Sequence, residues 1–157
     1  MPNALLFLQT GGTIDKDYPQ GEADHGYAFK IGAPGFAAVL ARAKRPPPWR
    51  TATVLQKDSL DITDADRAAI RQAVLDAPET RIVITHGTDT MRRTAAALAD
   101  VPGKTIVLTG AMLPEKFRDS DADFNLGMAV AAADWLPAGV YIALDGEVTA
   151  WDVFDII

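Results

Sequence analysis

The chain has no cysteine, and His25 and His86 are the two histidines among its 157 residues. The absence of cysteine excludes a disulfide framework, a thiolate nucleophile and any metal site built on cysteine. Two histidines so far apart in sequence also argue against a histidine-rich metal site. We therefore expect a protein without a bound metal.

Basic charge is also scarce. The sequence has 15 Lys and Arg against 21 Asp and Glu, which gives a formal net charge of −6. Nucleic acids and anionic membranes both favour basic patches, so this balance argues against either as a partner. The first ten residues lack a basic segment and a signal-length apolar run. No stretch approaches the roughly 20 apolar residues that a membrane helix needs. We expect a cytoplasmic protein with one domain over residues 1–157.

Apolar runs of strand length alternate with helical patterns along the chain. Strands are predicted at 4–10, 51–56, 81–85, 105–109 and 139–144, and helices at 35–43, 64–75, 90–99 and 124–136. Strands that are apolar throughout suit burial on both faces, as in a parallel sheet. The pattern predicts an α/β three-layer sandwich with a mainly parallel, flavodoxin- or Rossmann-like sheet. Residues 15–29 form a long loop without periodicity, which is typical of a lid or binding loop.

Short polar side chains cluster where the predicted strands end. Residues 85–90 hold three hydroxyls, an imidazole and a carboxylate, which is more than a surface turn needs. Thr10-Gly11-Gly12-Thr13, Lys57-Asp58-Ser59 and Thr109-Gly110-Ala111 follow three other strands. Ligands of such sheets bind outside the carboxyl ends of the strands. The sequence therefore predicts a reaction site at this edge.

Each cluster also has a structural interpretation. Gly11-Gly12 suits a plain tight turn as well as an anion-binding backbone. Asp58-Ser59 suits a turn before a helix, and Thr88-Asp89 suits the N-cap and first turn of the next helix. His86 beside a glycine suits a scaffold role. The Walker phosphate loop and the dinucleotide fingerprint are both absent, which disfavours a nucleotide-binding domain.

Two segments carry a resemblance to a known family. Thr10-Gly11-Gly12-Thr13-Ile14 and the stretch 85–91 resemble the two signatures of the bacterial-type L-asparaginases. Supporting matches are 107–112, Ser120-Asp121 and Asn125-Leu126. The resemblance extends from residue 4 to about residue 153 and covers the family's larger, N-terminal domain. We therefore expect the smaller C-terminal domain to be absent, as in short single-domain relatives.

The resemblance implies an amidohydrolase that converts L-asparagine and water into L-aspartate and ammonia without a metal or other cofactor. It implies that Thr13 is the nucleophile and that Tyr27 in the mobile loop activates it, with Tyr18 as the rival. The matching positions that bind the substrate or assist the chemistry are Gly12, Asp58, Ser59, Thr88, Asp89 and Ala111. Asp89 is implied to bind the substrate α-amino group, and the Ala111 carbonyl to face the amide.

One departure concerns the proton-transfer partner of Thr88. The family's catalytic lysine is expected after the fifth strand, where residues 146–157 contain no lysine and Asp155 falls near its place. Lys116 is the preferred substitute, and the alternatives are Lys57 or a lysine from another subunit. Because general acid–base catalysis typically contributes about 10²–10⁴-fold, we expect a slow enzyme.

Two further expectations concern function and assembly. The alternative to an enzyme is a non-catalytic binding module for a small amino acid or dicarboxylate. A homodimer or higher homo-oligomer is expected, because a lone domain of this type exposes apolar surface. Trp151, Phe154, Ile156 and Ile157 are the candidates to cover that surface or to pair across subunits.

Overall fold

The computed structural model describes residues 4–18 and 29–155. The strands are β1 (Leu5–Gly11), β2 (Lys16–Asp17), β3 (Lys30–Ile31), β4 (Trp49–Lys57), β5 (Arg81–Thr85), β6 (Thr105–Thr109), β7 (Gly139–Leu144) and β8 (Glu147–Ala150). The α-helices are α1 (Gly35–Arg42), α2 (Asp64–Asp76), α3 (Met91–Leu98) and α4 (Ala122–Trp135). Short 3₁₀ turns cover Thr13–Asp15, Ser59–Asp61 and Trp151–Val153.

One six-stranded sheet in the order β4-β1-β5-β6-β7-β8 organises the molecule. The strands β4, β1, β5, β6 and β7 are parallel, and β8 is antiparallel to β7. The prediction of a mainly parallel sheet is confirmed. Register aligns the strand ends, since Gly11 lies beside Lys57 and Thr85 beside Thr109. The turns that follow these strands therefore leave from one edge.

Two apolar cores lie on opposite faces of the sheet, and alternate residues of the strands supply them. In β1, Leu6 and Leu8 pack in the core formed with α2 and α3, whereas Leu5 and Phe7 pack in the core formed with α1 and α4. Both faces of the central strands are buried, which explains their continuous apolar sequences. The α/β three-layer architecture is confirmed.

The predicted elements match the observed ones closely, apart from shifts of one or two residues at some ends and two larger differences. The bounds of β5, β6 and β7 agree residue for residue, whereas α4 begins at Ala122 rather than at residue 124. The hairpin to β8 was not predicted. Its turn is Asp145-Gly146, with φ of 55° and 89°, and an Asp-Gly pair of this conformation is a strong hairpin signal.

The second difference is a short antiparallel pair inside the long loop. Lys16 lies opposite Ile31, and Asp17 opposite Lys30, so β2 and β3 bracket the undescribed residues 19–28. No helix in the described ranges is long and apolar enough to cross a membrane.

Candidate active site

Three turns from the carboxyl edge of the sheet meet at two glycines. Gly12 has φ of +87°, and a Cβ atom placed on it would lie 2.3 Å from the Gly87 amide nitrogen. A Cβ on Gly87 would lie 2.6 Å from the Ser59 Cβ. Such distances leave no room for a side chain, so backbone lies directly against backbone. The segments after β1, β4 and β5, which are distant in sequence, therefore form one compact seam.

The Gly12 amide has a structural partner. It donates to the Lys57 carbonyl at 3.0 Å, and a Cβ on Gly11 would lie 2.2 Å from that same oxygen. The interpretation of Gly11-Gly12 as a tight turn is therefore correct. The Gly12 N–H is committed to β4, so it is unavailable as an anion-binding donor.

Thr13 and Thr88 flank the contact between the two glycines. Thr13 opens the 3₁₀ turn after β1, and Thr88 follows Gly87 directly, so each is one residue from the seam. Both side chains are partly buried. Across residues 4–18 and 29–155, neither hydroxyl and neither backbone N–H has a hydrogen-bond partner. Two hydroxyls and two amide donors are thus left uncommitted at one place.

Asp58 and Ser59 differ in their surroundings. The Asp58 carboxylate accepts a hydrogen bond from the Leu60 amide at 3.0 Å, so it caps the short turn, as its structural interpretation predicts. Ser59 is 1% exposed and its Oγ has no partner in the described structure. Its carbonyl accepts the Thr90 hydroxyl at 2.8 Å. A buried hydroxyl without a partner is unusual in a folded protein.

Thr88 and Asp89 do not cap a helix. The helix α3 begins at Met91, and Thr90 occupies its N-cap position without a side-chain capping bond. The alternative interpretation of Thr88-Asp89 as N-cap and first-turn acid is therefore wrong. Asp89 is exposed and lines a cavity of about 540 Å³, together with Thr90, Arg92, Arg93, Ala96, Trp151, Phe154 and Asp155.

His86 is a structural residue beneath this turn. It is fully buried, with Nδ1 2.6 Å from the Gly87 carbonyl and Nε2 2.7 Å from the Thr94 hydroxyl. The carbonyl accepts only, so Nδ1 carries the proton and Nε2 accepts from Thr94, whose oxygen accepts from Arg67 Nε at 3.1 Å. The His86 pKa is lowered to about 4, chiefly by burial; the bond to Gly87 raises it and the nearby Arg67 charge lowers it. The neutral ring fixes Gly87 and so the start of Thr88.

Asp121 and Asn125 brace the segment that carries Ala111. The Asp121 carboxylate accepts from the Met112 amide at 2.9 Å, and Asn125 Nδ2 donates to the Gly110 carbonyl at 2.9 Å. Ala111 itself is 3% exposed, at the edge of the sheet. The resemblance to the asparaginase pattern at Asp121 and Asn125 therefore has a physical basis, since these side chains hold the turn after β6.

The predicted proton-transfer groups lie further out. Lys116 follows β6, as expected, but its Nζ lies 2.9 Å from the Asp17 carboxylate. Lys57 is paired with Asp66 at 2.8 Å. Tyr18 packs against the rings of Phe29 and Phe117, and Tyr27 lies outside the described residues. In the part of the chain that the structure describes, no lysine forms a hydrogen bond with Thr88, and both candidates are paired with a carboxylate.

Sequence reasoning missed Asp15, two residues after Thr13. This carboxylate is 3% exposed and accepts from the Gly35 amide at 2.6 Å and from Gln9 Nε2 at 3.1 Å. Burial raises its pKa to about 7, although both hydrogen bonds act in the opposite direction. No local motif marks this role, because its partners come from distant segments.

The described residues contain no group of three or more His, Cys, Asp or Glu arranged to hold a metal. The site therefore consists of hydroxyls, backbone amides and single carboxylates. That set suits the binding of a small polar molecule and nucleophilic attack by oxygen.

Comparison with known proteins gives a consistent family. The family model "Asparaginase, N-terminal" matches residues 4–153. The L-asparaginase of Thermococcus kodakarensis is 36% identical over 145 residues, which is 88% of this chain and 43% of that protein. A glutamyl-tRNA(Gln) amidotransferase component from Methanococcus maripaludis is 42% identical over 159 residues, which is 91% of this chain and 35% of that protein.

The solved structures agree. The thermostable L-asparaginase from Thermococcus kodakarensis superposes with a TM-score of 0.80 at 32% identity, over 94% of this chain and 46% of that one. The chain thus spans less than half the length of these relatives. Sequence signatures, the α/β sheet and the meeting of their turns at one edge all lead to the same conclusion: the chain belongs to the asparaginase family and corresponds to its N-terminal domain.

Proposed function

We propose that this protein is an amidohydrolase that converts L-asparagine and water into L-aspartate and ammonia, with Thr13 as nucleophile. The observation that carries the proposal is the contact of Gly12 with Gly87. It brings Thr13 and Thr88, from the two family signatures, to either side of one backbone seam. Both hydroxyls are free of hydrogen bonds within the described ranges, as a nucleophile and its assistant need to be.

The proposed reaction has two steps. Thr13 Oγ attacks the carboxamide carbon, its hydroxyl proton passes to the nitrogen, the C–N bond breaks, and ammonia leaves. Water then attacks the threonine ester, returns a proton to Thr13 Oγ and releases aspartate. The uncommitted N–H groups of Thr13 and Thr88 are the proposed donors to the oxyanion, in place of Gly12, and one such donor contributes roughly 3 kcal/mol in comparable sites.

Substrate binding is assigned to the neighbouring side chains. Asp89, exposed beside the cavity, binds the α-ammonium group. The Ser59 hydroxyl, buried without a partner in the described structure, gains one from the substrate α-carboxylate. Asp58 contributes through the turn that it caps, and Ala111 through its carbonyl, which faces the amide.

Proton transfer is assigned to Tyr27 and Lys116. Tyr27 is proposed to activate Thr13 when the loop closes and excludes water. Lys116 is proposed to serve Thr88, which requires it to leave Asp17, 2.9 Å away. We therefore expect turnover to be slow. A Lys116→Met variant with unchanged turnover removes this residue from the mechanism.

The same region favours a second candidate function. Because Lys57 and Lys116 are both paired with carboxylates and neither is hydrogen-bonded to Thr88, the described site has binding groups but no bonded proton-transfer partner for Thr88. A binding module for a small amino acid or dicarboxylate fits that description.

We also propose self-association through the surface near Trp151 and Phe154. Both side chains are only partly buried, although they follow a strand at the end of the sheet. Ile156 and Ile157, the other candidates for this surface, lie outside the described residues.

Ammonia release combined with calorimetry tests the proposed function. We expect wild type to release ammonia from asparagine and Thr13→Ala to lose that activity while it still binds asparagine. Thr51→Ala is the matched control, because Thr51 is exposed on β4. Asparagine binding without ammonia release by the wild type selects the binding module. Ammonia release by Thr13→Ala at the wild-type rate refutes the threonine mechanism.

A further inference from the structure

The Asp15 carboxylate is buried and has no cationic partner in the described structure. It is 3% exposed, and its side-chain hydrogen-bond partners are the Gly35 amide at 2.6 Å and Gln9 Nε2 at 3.1 Å. Within the described ranges it forms no ion pair. An unpaired buried carboxylate is costly, so its presence points to a role beyond packing.

The partners of Asp15 lie on both sides of the long loop. The Asp15 backbone carbonyl accepts from the Gly32 amide at 2.8 Å, and its side chain accepts from Gly35 at the start of α1. The Gly32 carbonyl in turn accepts from Gln9 Nε2 at 2.8 Å and from Gln56 Nε2 at 2.9 Å. Asp15 therefore joins the outgoing end of the loop, beside Thr13, to its returning end and to β1.

The geometry around Gln9 allows a single orientation of its amide. Its Oε1 accepts from the Thr53 hydroxyl at 2.8 Å, while Nε2 donates to both Asp15 and the Gly32 carbonyl. A flipped amide would set oxygen against the Gly32 carbonyl. The Asp15 oxygen that faces Gln9 must therefore be an acceptor, which an ionised carboxylate provides at both of its oxygens.

We propose that Asp15 is a positioning residue for the reaction: its carboxylate clamps the return of the loop and the start of α1 against the turn that carries Thr13. The inference rests on the proposed function for its catalytic consequence. The clamp holds the 3₁₀ turn Thr13–Asp15 against Gly32 and Gly35, and so fixes the position of the nucleophile.

The clamp has a built-in dependence on protonation. Burial raises the pKa of the Asp15 carboxyl to about 7. A neutral carboxyl carries a hydroxyl. If the proton is on the oxygen that faces Gln9, the hydroxyl and Gln9 Nε2 are two donors that point at each other. The groups that bond the carboxylate, the Gln9 amide of β1 and the Gly35 N–H of α1, are neutral. The charged groups of the surrounding elements are Lys16, Asp17, Lys30, Arg42, Arg50, Lys57, Glu115 and Lys116.

Asp15→Asn tests the clamp, with Asp76→Asn on the exposed end of α2 as the matched control. The asparagine keeps the shape but is permanently neutral, and its amide nitrogen or oxygen mismatches one partner. We expect amide hydrogen exchange at Gly32 and Gly35 to quicken at least tenfold. We expect kcat to fall at least tenfold with little change in KM, because Asp15 does not touch substrate.

The pH profile separates positioning from a merely structural role. Wild-type kcat should fall as the pH drops below about 7, as Asp15 takes up its proton. Asp15→Asn should lack that limb and stay at the low value throughout. If Asp15→Asn fails to fold, Gln9→Met, which removes the same hydrogen bond from the other side, should reproduce the loss of kcat in smaller measure.

Two results overturn the inference. Unchanged exchange at Gly32 and Gly35 in a folded Asp15→Asn shows that there is no clamp. Faster exchange with unchanged kcat shows that the clamp does not position the reaction. If the wild type releases no ammonia, the proposed function fails, and the exchange experiment still decides whether the clamp exists.

Discussion

The meeting of Gly87 with Ser59 predicts a strong coupling between these two positions. A Cβ on Gly87 would lie 2.6 Å from the Ser59 Cβ and 2.7 Å from its Oγ. Ser59 is fully buried and cannot swing into solvent. Overpacking of this kind typically costs 1–3 kcal/mol, so we expect Gly87→Ala to lower the free energy of unfolding by about 3 kcal/mol.

Removal of the Ser59 side chain should relieve most of that cost. In a Ser59→Gly background, the nearest remaining atom is the Ser59 amide nitrogen at 3.1 Å, a contact that small shifts relieve. We therefore expect Gly87→Ala to cost less than about 1 kcal/mol there, which leaves a coupling of about 2 kcal/mol.

Urea unfolding of the wild type, the two single variants and the double variant measures this cycle. Ammonia release by the four proteins gives a second reading, because Gly87→Ala should also displace Thr88. Additive free energies, with a coupling below about 0.5 kcal/mol, would refute the packing of the segments after β4 and β5 at one seam.

Further predictions concern stability and its pH dependence. Thr63→Ala should cost about 1 kcal/mol in urea unfolding, because Thr63 and Asp66 form a complete capping box at the start of α2. Thr94→Val should lower the free energy of unfolding by about 2 kcal/mol, since it leaves His86 Nε2 and Arg67 Nε buried without partners. Thr90→Val is the control, because the Thr90 hydroxyl is less buried. A loss of stability at Thr94 that is equal to or smaller than the loss at Thr90 would contradict the network. The pKa of Asp15 is raised in the folded protein, so its contribution to the free energy of unfolding is present below about pH 4. That contribution is lost as the pH rises through about 7. The pKa of His86 is lowered in the folded protein, so its contribution to the free energy of unfolding is present above about pH 6.5. That contribution is lost as the pH falls through about 4. The two effects oppose each other. On acidification from pH 7 to pH 4, Asp15→Asn should therefore lose more free energy of unfolding than wild type. Parallel curves of unfolding free energy against pH would contradict the burial of Asp15.

The sequence predicted the central strands because their local signals are strong. In β5, β6 and β7, apolar β-branched runs end abruptly at turn residues, so their bounds agreed with the structure. The capping box of Thr63 and Asp66 at the start of α2 is likewise a local signal, which accounts for the predicted start of that helix. The strand β8 is short and partly charged, and its one strong local signal is the Asp145-Gly146 turn.

The site was predictable in part. The positions of Thr13, Ser59 and Thr88 at one edge follow from strand order and direction, which the alternating pattern indicates. The contact of Gly12 with Gly87 does not follow from it, because the contact depends on how two distant turns pack. The buried carboxylate of Asp15 depends on Gly35 and Gln9 in the same way, and nothing near Asp15 in sequence marks it.

In the proposed reaction Thr13, held beside Thr88 by the glycine seam, attacks the amide. Peptide mass mapping of wild-type protein after rapid acid quench from asparagine tests it most directly. We expect one aspartyl group, bound as an ester on the peptide that contains Thr13 and absent from Thr13→Ala. An aspartyl group on the peptide that contains Thr88, or no aspartyl-protein at any quench time while ammonia accumulates, would contradict it.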